Sequence, residues 1–528
     1  MGVFTARSMT FGAAFGLGRP PSPRGINRRV GLAGLAAGLT ALVLALVPLG
    51  GARHDDADGD SPSPASAVPV SVQLDTHRPG RPVPPRFLGL SFEVAALAQI
   101  ASYGDSGNFV NLLRSLGPGV MRFGGISADT RVAWTDRRTP RPAWASMVLT
   151  GADLRKLGRL AARSGWRVLL TVGLAHYQPA AAAREVAAAK AALGQGLAGI
   201  EIGNEPDAYA KHGLRPSPWT FRQYDAELRR YRRAIARAAP GVTLAGPGVS
   251  GSAVFRRWGA AEASARRSTL LTGHHYPLGC HSMPPPTISQ LLAPGTRALE
   301  RRSLHRYMSV SRARSIPFRL DEVGSVSCGG HAGISNTFAS ALWAAGYIAQ
   351  AMAAGVSGVN FQGNPANCLG YSPVCASTSQ RLASGRLGAQ PAWYALLLAR
   401  ALVGSRPLPT RVVTAGQPNL IVRSFMGPDR TLRLMIAEDD PPGAPPARLR
   451  LRIGAGYRAA TVLTLTAPSP ASTSGVSVAG RSVSSDGSWH EPRQVPPIPA
   501  RGGVLSLTVS PSSAALVTVS PSGATTRP

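Results

Sequence analysis

Short apolar runs recur along the chain between residues 87 and 405, each followed by a longer stretch in which apolar positions return every third or fourth residue. Strand side chains alternate between two faces and helix side chains wind around one axis, so the first pattern predicts strands and the second amphipathic helices. Strands are expected over 87–92, 120–123, 167–172, 199–202, 243–245, 270–276, 318–320 and 358–361. Helices are expected between them, for example over 151–164, 219–239 and 336–354. Strands alternating with helices in this way predict an α/β fold, a (β/α)8 TIM barrel over 87–405, whose chemistry sits at the C-terminal strand ends. After Pro407 the helical period stops. Stretches 420–425, 431–437, 449–453, 460–465 and 505–508 alternate between Pro/Gly/Ser loops, which predicts a β-sandwich over 406–519. The alternating run from Val68 to Leu74, which opens segment 69–86, is expected to join that sandwich. Residues 53–68 are rich in Asp, Ser and Pro and predict a disordered linker, and 520–528 a loose tail.

Ahead of the linker, Arg28 and Arg29 precede an uncharged apolar run that ends in the small residues Gly50, Gly51 and Ala52. This is the layout of a secretory signal, and the paired arginines point to the twin-arginine route. The run is also long enough for an uncleaved anchor, although its glycines and alanines make it only mildly hydrophobic. Residues 1–52 are therefore read as a signal peptide or signal anchor. The protein is read as exported, secreted or periplasmic, with the membrane a partner only through that segment. Four cysteines in an exported chain suggest two disulfides. Cys368 and Cys375 are close enough to clip one loop, which leaves Cys280 to pair with Cys328. No CxxC spacing supports zinc, and no metal is expected. Lys and Arg number 57 against 26 Asp and Glu, a net charge of +31, and the only lysines are Lys156, Lys190 and Lys211. A GC-rich coding sequence produces such an arginine bias, and so does a surface that draws polyanions. No aromatic-interleaved basic stretch or recognition-helix pattern is present, so nucleic acid is not expected as a partner.

Two strand tips carry candidate chemistry. Gly199-Ile-Glu-Ile-Gly-Asn-Glu-Pro206 ends where the fourth barrel strand should end, and Phe318-Arg-Leu-Asp-Glu-Val323 where the seventh should. Glu205 and Glu322 would then point into one site. Glycosidic cleavage needs this pair: one carboxyl protonates the leaving oxygen while the other attacks the anomeric carbon. A lone loop glutamate is more often a solvated carboxylate, but two at these barrel positions argue for a site. Glu93 and Asp129 end the first and second strand regions, either as acceptors for sugar hydroxyls or as structural loop carboxylates. Of the adjacent His274 and His275, which must face opposite ways and cannot easily share a metal, His275 is placed near the site.

Several segments together resemble one family. Gly203-Asn204-Glu205-Pro206 resembles clan A glycoside hydrolases. Met121-Arg122-Phe123-Gly124-Gly125, Gly273-His274-His275-Tyr276 and the stretch from Glu322 through Gly329-Gly330 to Phe338 are similar to motifs of glycoside hydrolase family 79, the heparanase and β-glucuronidase family. The resemblance implies a retaining enzyme with Glu205 as acid/base and Glu322 as nucleophile, and no cofactor. It also implies that Asn204 donates to the sugar 2-hydroxyl and that Tyr276 orients Glu322. Burial and the charge on Glu322 are expected to keep Glu205 protonated. Arg122 is either a cation beneath the nucleophile or a partner for a core carboxylate. Family members acting on glucuronides hold the uronic carboxylate with a tyrosine and glycine N–H groups after the nucleophile. Gly329 and Gly330 remain here, but Ser327 and Cys328 stand where tyrosine and glycine are expected, and Tyr371 is the candidate substitute.

The leading expectation is a retaining hydrolase of β-linked uronic-acid glycosides, with a carbohydrate partner that includes acidic glycans. Another clan A β-glycosidase acting on a neutral sugar is the nearest alternative. A non-catalytic glycan-binding surface protein is the alternative of another class, but it has no need of two intact glutamates.

Overall fold

The computed structural model of the chain describes residues 66–522. The signal or anchor segment 1–52, most of the 53–68 linker and the last residues of the expected tail lie outside the described residues. Among the described residues no helix is long and apolar enough to cross a membrane.

Eight parallel strands close a barrel. They are β1 (Leu88–Glu93), β2 (Val120–Gly124), β3 (Arg167–Val172), β4 (Leu197–Ile202), β5 (Leu244–Val249), β6 (Leu270–His275), β7 (Phe318–Val323) and β8 (Gly358–Gly363). Their order is β7-β8-β1-β2-β3-β4-β5-β6, so each strand pairs with its sequence neighbour and β8 closes on β1. Several strands run past the apolar stretch that predicted them. β7 continues through Asp321 and Glu322 to Val323, because in a closed barrel inward polar side chains find partners on the facing strands. At the opposite end Arg319 donates to Asn360 Oδ1 at 2.6 Å, and Asn360 Nδ2 donates to the carbonyls of Leu90 and Val120 at 2.8 Å. These bonds fill the lower end of the barrel with satisfied polar side chains, as in other packed barrels.

The helices follow local signals. Helix Gly151–Ser164 opens on a Thr150–Asp153 capping box and stops at Gly165, which takes the left-handed conformation. It buries Leu154, Leu157, Leu160 and Ala161, the spacing that the apolar period predicts.

After the barrel come two sheets. Strands Thr410–Thr414, Val68–Leu74, Ala447–Arg452 and Val504–Val509 form one, in that order, with Val68–Leu74 parallel to Ala447–Arg452. In Ala447–Arg452 every second residue is buried and the arginines between them are exposed, so one face of this sheet is solvated. The other sheet is built around Leu420–Met426, Leu432–Glu438, Ser513–Pro521 and Tyr457–Thr466. It is covered on both sides: Leu432, Leu434 and Ile436 face the first sheet, while Met435 and Ala437 join the barrel's core. Two-sided burial explains why Leu432–Glu438 reads as a continuous apolar run rather than an alternating one. The expected loose tail is corrected at its start. Ser520 and Pro521 complete the strand Ser513–Pro521, whose ladder with Tyr457–Thr466 holds them.

Candidate active site

The C-terminal tips of β2, β4, β6 and β7 converge on Arg122, which is fully buried. Its guanidinium donates to Glu322 Oε2 at 2.6 Å, to Glu201 Oε2 at 2.8 Å and to Asn204 Oδ1 at 2.8 Å. Its Nε lies 3.5 Å from Asp321 Oδ2. Arg122 thus fills both roles considered for it, beneath Glu322 and against core carboxylates. A Cβ on Gly124 would collide with this guanidinium, and one on Gly125 (φ 74°) with the Glu93 carboxylate. The Gly-Gly after Arg122 therefore makes room for two charged side chains.

Four carboxyls surround this cation, and their environments separate them. Glu201 accepts from Thr272 Oγ1 at 2.6 Å and Thr171 Oγ1 at 2.9 Å. Burial and the neighbouring Asp321 charge push Glu201 up to about 7, against the pull of Arg122. Burial also works against Asp321, but the charges of His274 and Arg122 outweigh it and hold Asp321 below the usual carboxylate range. Glu322 accepts from Tyr276 Oη at 2.8 Å as well as from Arg122. Glu205 follows β4 with φ 47° and ψ 52°, a left-handed conformation that costs a non-glycine residue of order 1–3 kcal/mol and is held here by its N–H bond to Gly248 O at 2.9 Å.

Besides Glu201 and Asp321, sequence reasoning missed His274. Its Nδ1 lies 2.8 Å from Glu205 Oε1 and 3.9 Å from Glu322 Oε1, with Nε2 3.7 Å from Asp321. Burial disfavours its charge, but Glu322, Asp321 and Glu205 raise it well above an ordinary imidazole. Burial likewise pushes Glu205 up, yet the hydrogen bond and charge of His274 prevail and lower it. The expectation that Glu322 and burial alone set the Glu205 proton is therefore corrected: His274 and Glu205 share it. The placement of His275 near the site is also corrected. It stacks on Tyr347 with ring centroids 4.7 Å apart, and its Nε2 lies 3.6 Å from Glu300 on the helical side of the sheet. Thr272, His274 and Tyr276 share one parity and all reach carboxylates of the site, so His275 must face out.

Other expected contacts divide. The Asn204 carbonyl oxygen is taken by Arg122 and by the Gly125 N–H at 3.1 Å, which fixes the amide and leaves Nδ2 without a hydrogen bond among the described residues. Asp129 is not placed to meet a sugar. It is buried and accepts from the N–H groups of Leu174 (2.7 Å), Ala175 (3.0 Å) and Asn204 (2.8 Å), tying the tips of β3 and β4 together. Glu93 accepts from the Ser127 N–H at 3.0 Å and from the Ser127 hydroxyl, while burial raises its carboxyl and Glu322 adds to that rise.

A wall beside Glu322 is built by the cysteines. Cys280–Cys328 and Cys368–Cys375 are both bonded. The first ties the loop after β6 to the loop after β7, where Ser327 N donates to Leu278 O at 3.1 Å and Cys280 N to Ser327 Oγ at 3.0 Å. On this wall Gly330 is not free to bind an anion, since its N–H is turned back onto Ser327 O at 3.2 Å. Tyr371 comes from the loop after β8. Its N–H donates to Gly329 O at 3.3 Å, and its ring centroid is 5.8 Å from that of Tyr276. Burial and Glu322 push its phenol up, so Tyr371 remains a donor.

Among the described residues, two side-chain sets have the spacing of a cation site. Glu205, His274 and Glu322 offer ligand atoms within 4.8 Å of one another, and so do Cys280, His281 and Cys328. In the first set Arg122 already neutralises Glu322; in the second both sulfurs are joined to each other.

A β-glucuronidase of Aspergillus niger is 29% identical to this chain over 210 residues, covering 35% of this chain and 38% of the fungal protein. The chain thus spans well under half the length of the curated relative it matches. No family model matches. A 4-O-α-L-rhamnosyl-β-D-glucuronidase from Fusarium oxysporum superposes with a TM-score of 0.69 at 18% identity, over 85% of this chain and 100% of that one. A family 51 arabinofuranosidase from Xanthomonas axonopodis pv. citri superposes at 0.59 and 14% identity, over 86% and 100% of the two chains. These likenesses establish the barrel-and-sandwich fold and are consistent with the family 79 resemblance read from the motifs.

Proposed function

We propose that the protein is a retaining glycoside hydrolase acting on β-linked uronic-acid glycosides, with Glu322 as nucleophile and Glu205 as acid/base. One observation carries the mechanism. The nearest carboxylate oxygens of Glu205 and Glu322 lie within 4.8 Å of each other. Retaining enzymes hold their carboxyls ~5–5.5 Å apart, whereas inverting ones leave ~6.5–9.5 Å for a water.

The first step forms a bond from Glu322 Oε to the anomeric carbon as the glycosidic bond breaks, and the leaving oxygen takes the proton held between Glu205 and His274. Arg122 and Tyr276 hold the Glu322 carboxyl in place for that attack. Asn204 Nδ2, held by its own carbonyl, donates to the sugar hydroxyl next to the reacting carbon, a bond that strengthens as positive charge develops there. Once Glu322 is esterified its charge is gone. Glu205, now a carboxylate, removes a proton from the water that releases the sugar, and the pair with His274 regains its proton.

The substrate class rests on the glucuronidase relatives and on Tyr371, which supplies a phenol donor beside Glu322 where the motif lacks its tyrosine. A neutral-sugar reading is favoured by one feature, the Gly330 N–H turned onto Ser327 rather than outward. A panel of aryl β-glycosides separates them: glucuronide turnover abolished by Glu322→Gln supports the proposal, and turnover of glucoside, xyloside or galactoside alone refutes the uronic specificity. Glu205→Gln should lose about 10²–10⁴-fold on poor leaving groups and far less on activated aryl ones. An equal loss on both sinks its acid role, and an inverted product anomer sinks the retaining mechanism. Export fits the two disulfides and the apolar N-terminal segment.

A further inference from the structure

On the outside of the barrel, helix Pro294–Arg314 and helix Phe338–Ala354 meet sandwich strand Leu420–Met426 around a cavity of about 270 Å³. Arg301, Arg312, Arg423 and His305 line it, and no carboxylate does. None of the three arginines is in an ion pair among the described residues, whereas neighbouring Arg297 is paired with Asp439. Gln350, only 3% exposed, also lines the cavity, and neither its amide oxygen nor its amide nitrogen has a hydrogen-bond partner among the described residues. Burying an amide without partners and gathering cations without an anion are both unfavourable, and a ligand that accepts hydrogen bonds and carries negative charge offsets both.

We infer that this cavity binds a small organic anion through Arg301, Arg312 and Arg423, with Gln350 as the neutral donor. Arg423 is largely buried, and burial together with the Arg301 charge lowers it, so the two guanidiniums destabilise each other until an anion lies between them. Arg312 caps the Ala354 carbonyl at 2.6 Å, which neutralises the negative end of that helix where it borders the cavity. Leu304 and Met308 add an apolar wall, so the space suits an anionic headgroup on a carbon skeleton rather than a bare ion. The site is separate from the glutamates. Those stand at the strand tips inside the barrel, and this cavity lies against the middle and end of helix Pro294–Arg314 and the last turn of helix Phe338–Ala354. The inference does not depend on the hydrolase reading.

The test is calorimetric titration of the whole protein with inorganic phosphate, glucose 6-phosphate and glucuronate at matched ionic strength. Saturable one-to-one binding of glucose 6-phosphate or glucuronate, tighter than inorganic phosphate, is expected. The Arg301→Gln, Arg423→Gln double variant should weaken it roughly tenfold or more, as expected for losing charge-assisted hydrogen bonds. Gln350→Leu, which removes the donor and leaves all charges, should weaken it less while the melting temperature stays level or rises. No saturable binding by the wild type, or equal binding by the double variant, overturns the site. Phosphate binding as tightly as the organic anions overturns the class of ligand.

Discussion

Replacing Arg122 with methionine keeps much of the side chain's volume and removes the one guanidinium around which the site is assembled. Three carboxylates lose a partner at once: Glu322 at 2.6 Å, Glu201 at 2.8 Å and Asp321 at 3.5 Å. A unit charge about 4 Å away is worth roughly 4 kcal/mol at an effective dielectric of ~20, and the desolvation of Arg122 itself offsets part of that sum. Breaking a buried pair by removing one partner costs about 3–5 kcal/mol. With His274 as the remaining cation for the cluster, the upper end applies, about 5 kcal/mol, or a melting point lower by roughly 5 °C for a chain of this size. The pH dependence identifies the cause. In the wild type Asp321 is depressed, so it contributes stability above the unfolded carboxylate range that is lost as pH falls. In the variant the orphaned carboxyls are raised above their unfolded values, so the folded state holds extra protons and stability falls as pH rises. The gap in melting temperature between the two proteins should widen from about pH 4.5 to about pH 7.5, read by differential scanning fluorimetry at a fixed scan rate. A gap that is equal at both pH values, or smaller than about 2 °C, refutes the electrostatic account of Arg122.

His274→Gln should raise the Glu205 carboxyl, because His274 is what lowers it. In the wild type the acid's proton is shared with His274, itself raised well above an ordinary imidazole, so the alkaline limb of kcat/KM for an aryl glycoside should move to lower pH once Glu205 holds that proton alone, and an unmoved limb separates His274 from the acid. Tyr276→Phe removes one donor to the Glu322 carboxylate, a bond worth about 1.5–3 kcal/mol, so kcat/KM should fall roughly 10–150-fold. A loss confined to KM would instead make Tyr276 a substrate contact. Opening Cys280–Cys328 by serine substitution frees a loop of sequence separation 48 and should cost about 4 kcal/mol of stability. If stability is unchanged while glucuronide selectivity is lost, the bond shapes the wall beside Glu322 and does little for the fold.

The barrel and the paired glutamates were legible in the amino-acid sequence because both depend on local order. Short apolar runs alternating with amphipathic stretches predict a parallel sheet covered by helices, and eight such runs suit a barrel. Asn-Glu-Pro and Asp-Glu after two of those runs fall at strand ends by position alone. The wall cysteines were readable too, through their number and spacing. Strand periodicity says which residues share a face, but not which face turns inward; the closure of the sheet decides that. Hence His274 and not His275 meets Glu205, although the parity it shares with Tyr276 was a usable signal. Glu201 and Asp321 were hidden in the motifs of better-known neighbours, and only the crossing of β2, β4 and β7 sets both against Arg122. For Asp129 the sequence leaves a sugar acceptor and a structural carboxylate open, and the N–H groups of Leu174, Ala175 and Asn204 decide for the second. The proton on Glu205 was decided by tertiary structure for the same reason. A carboxyl's charge follows the dielectric and charges within a few ångströms, and those come from strands distant in the chain.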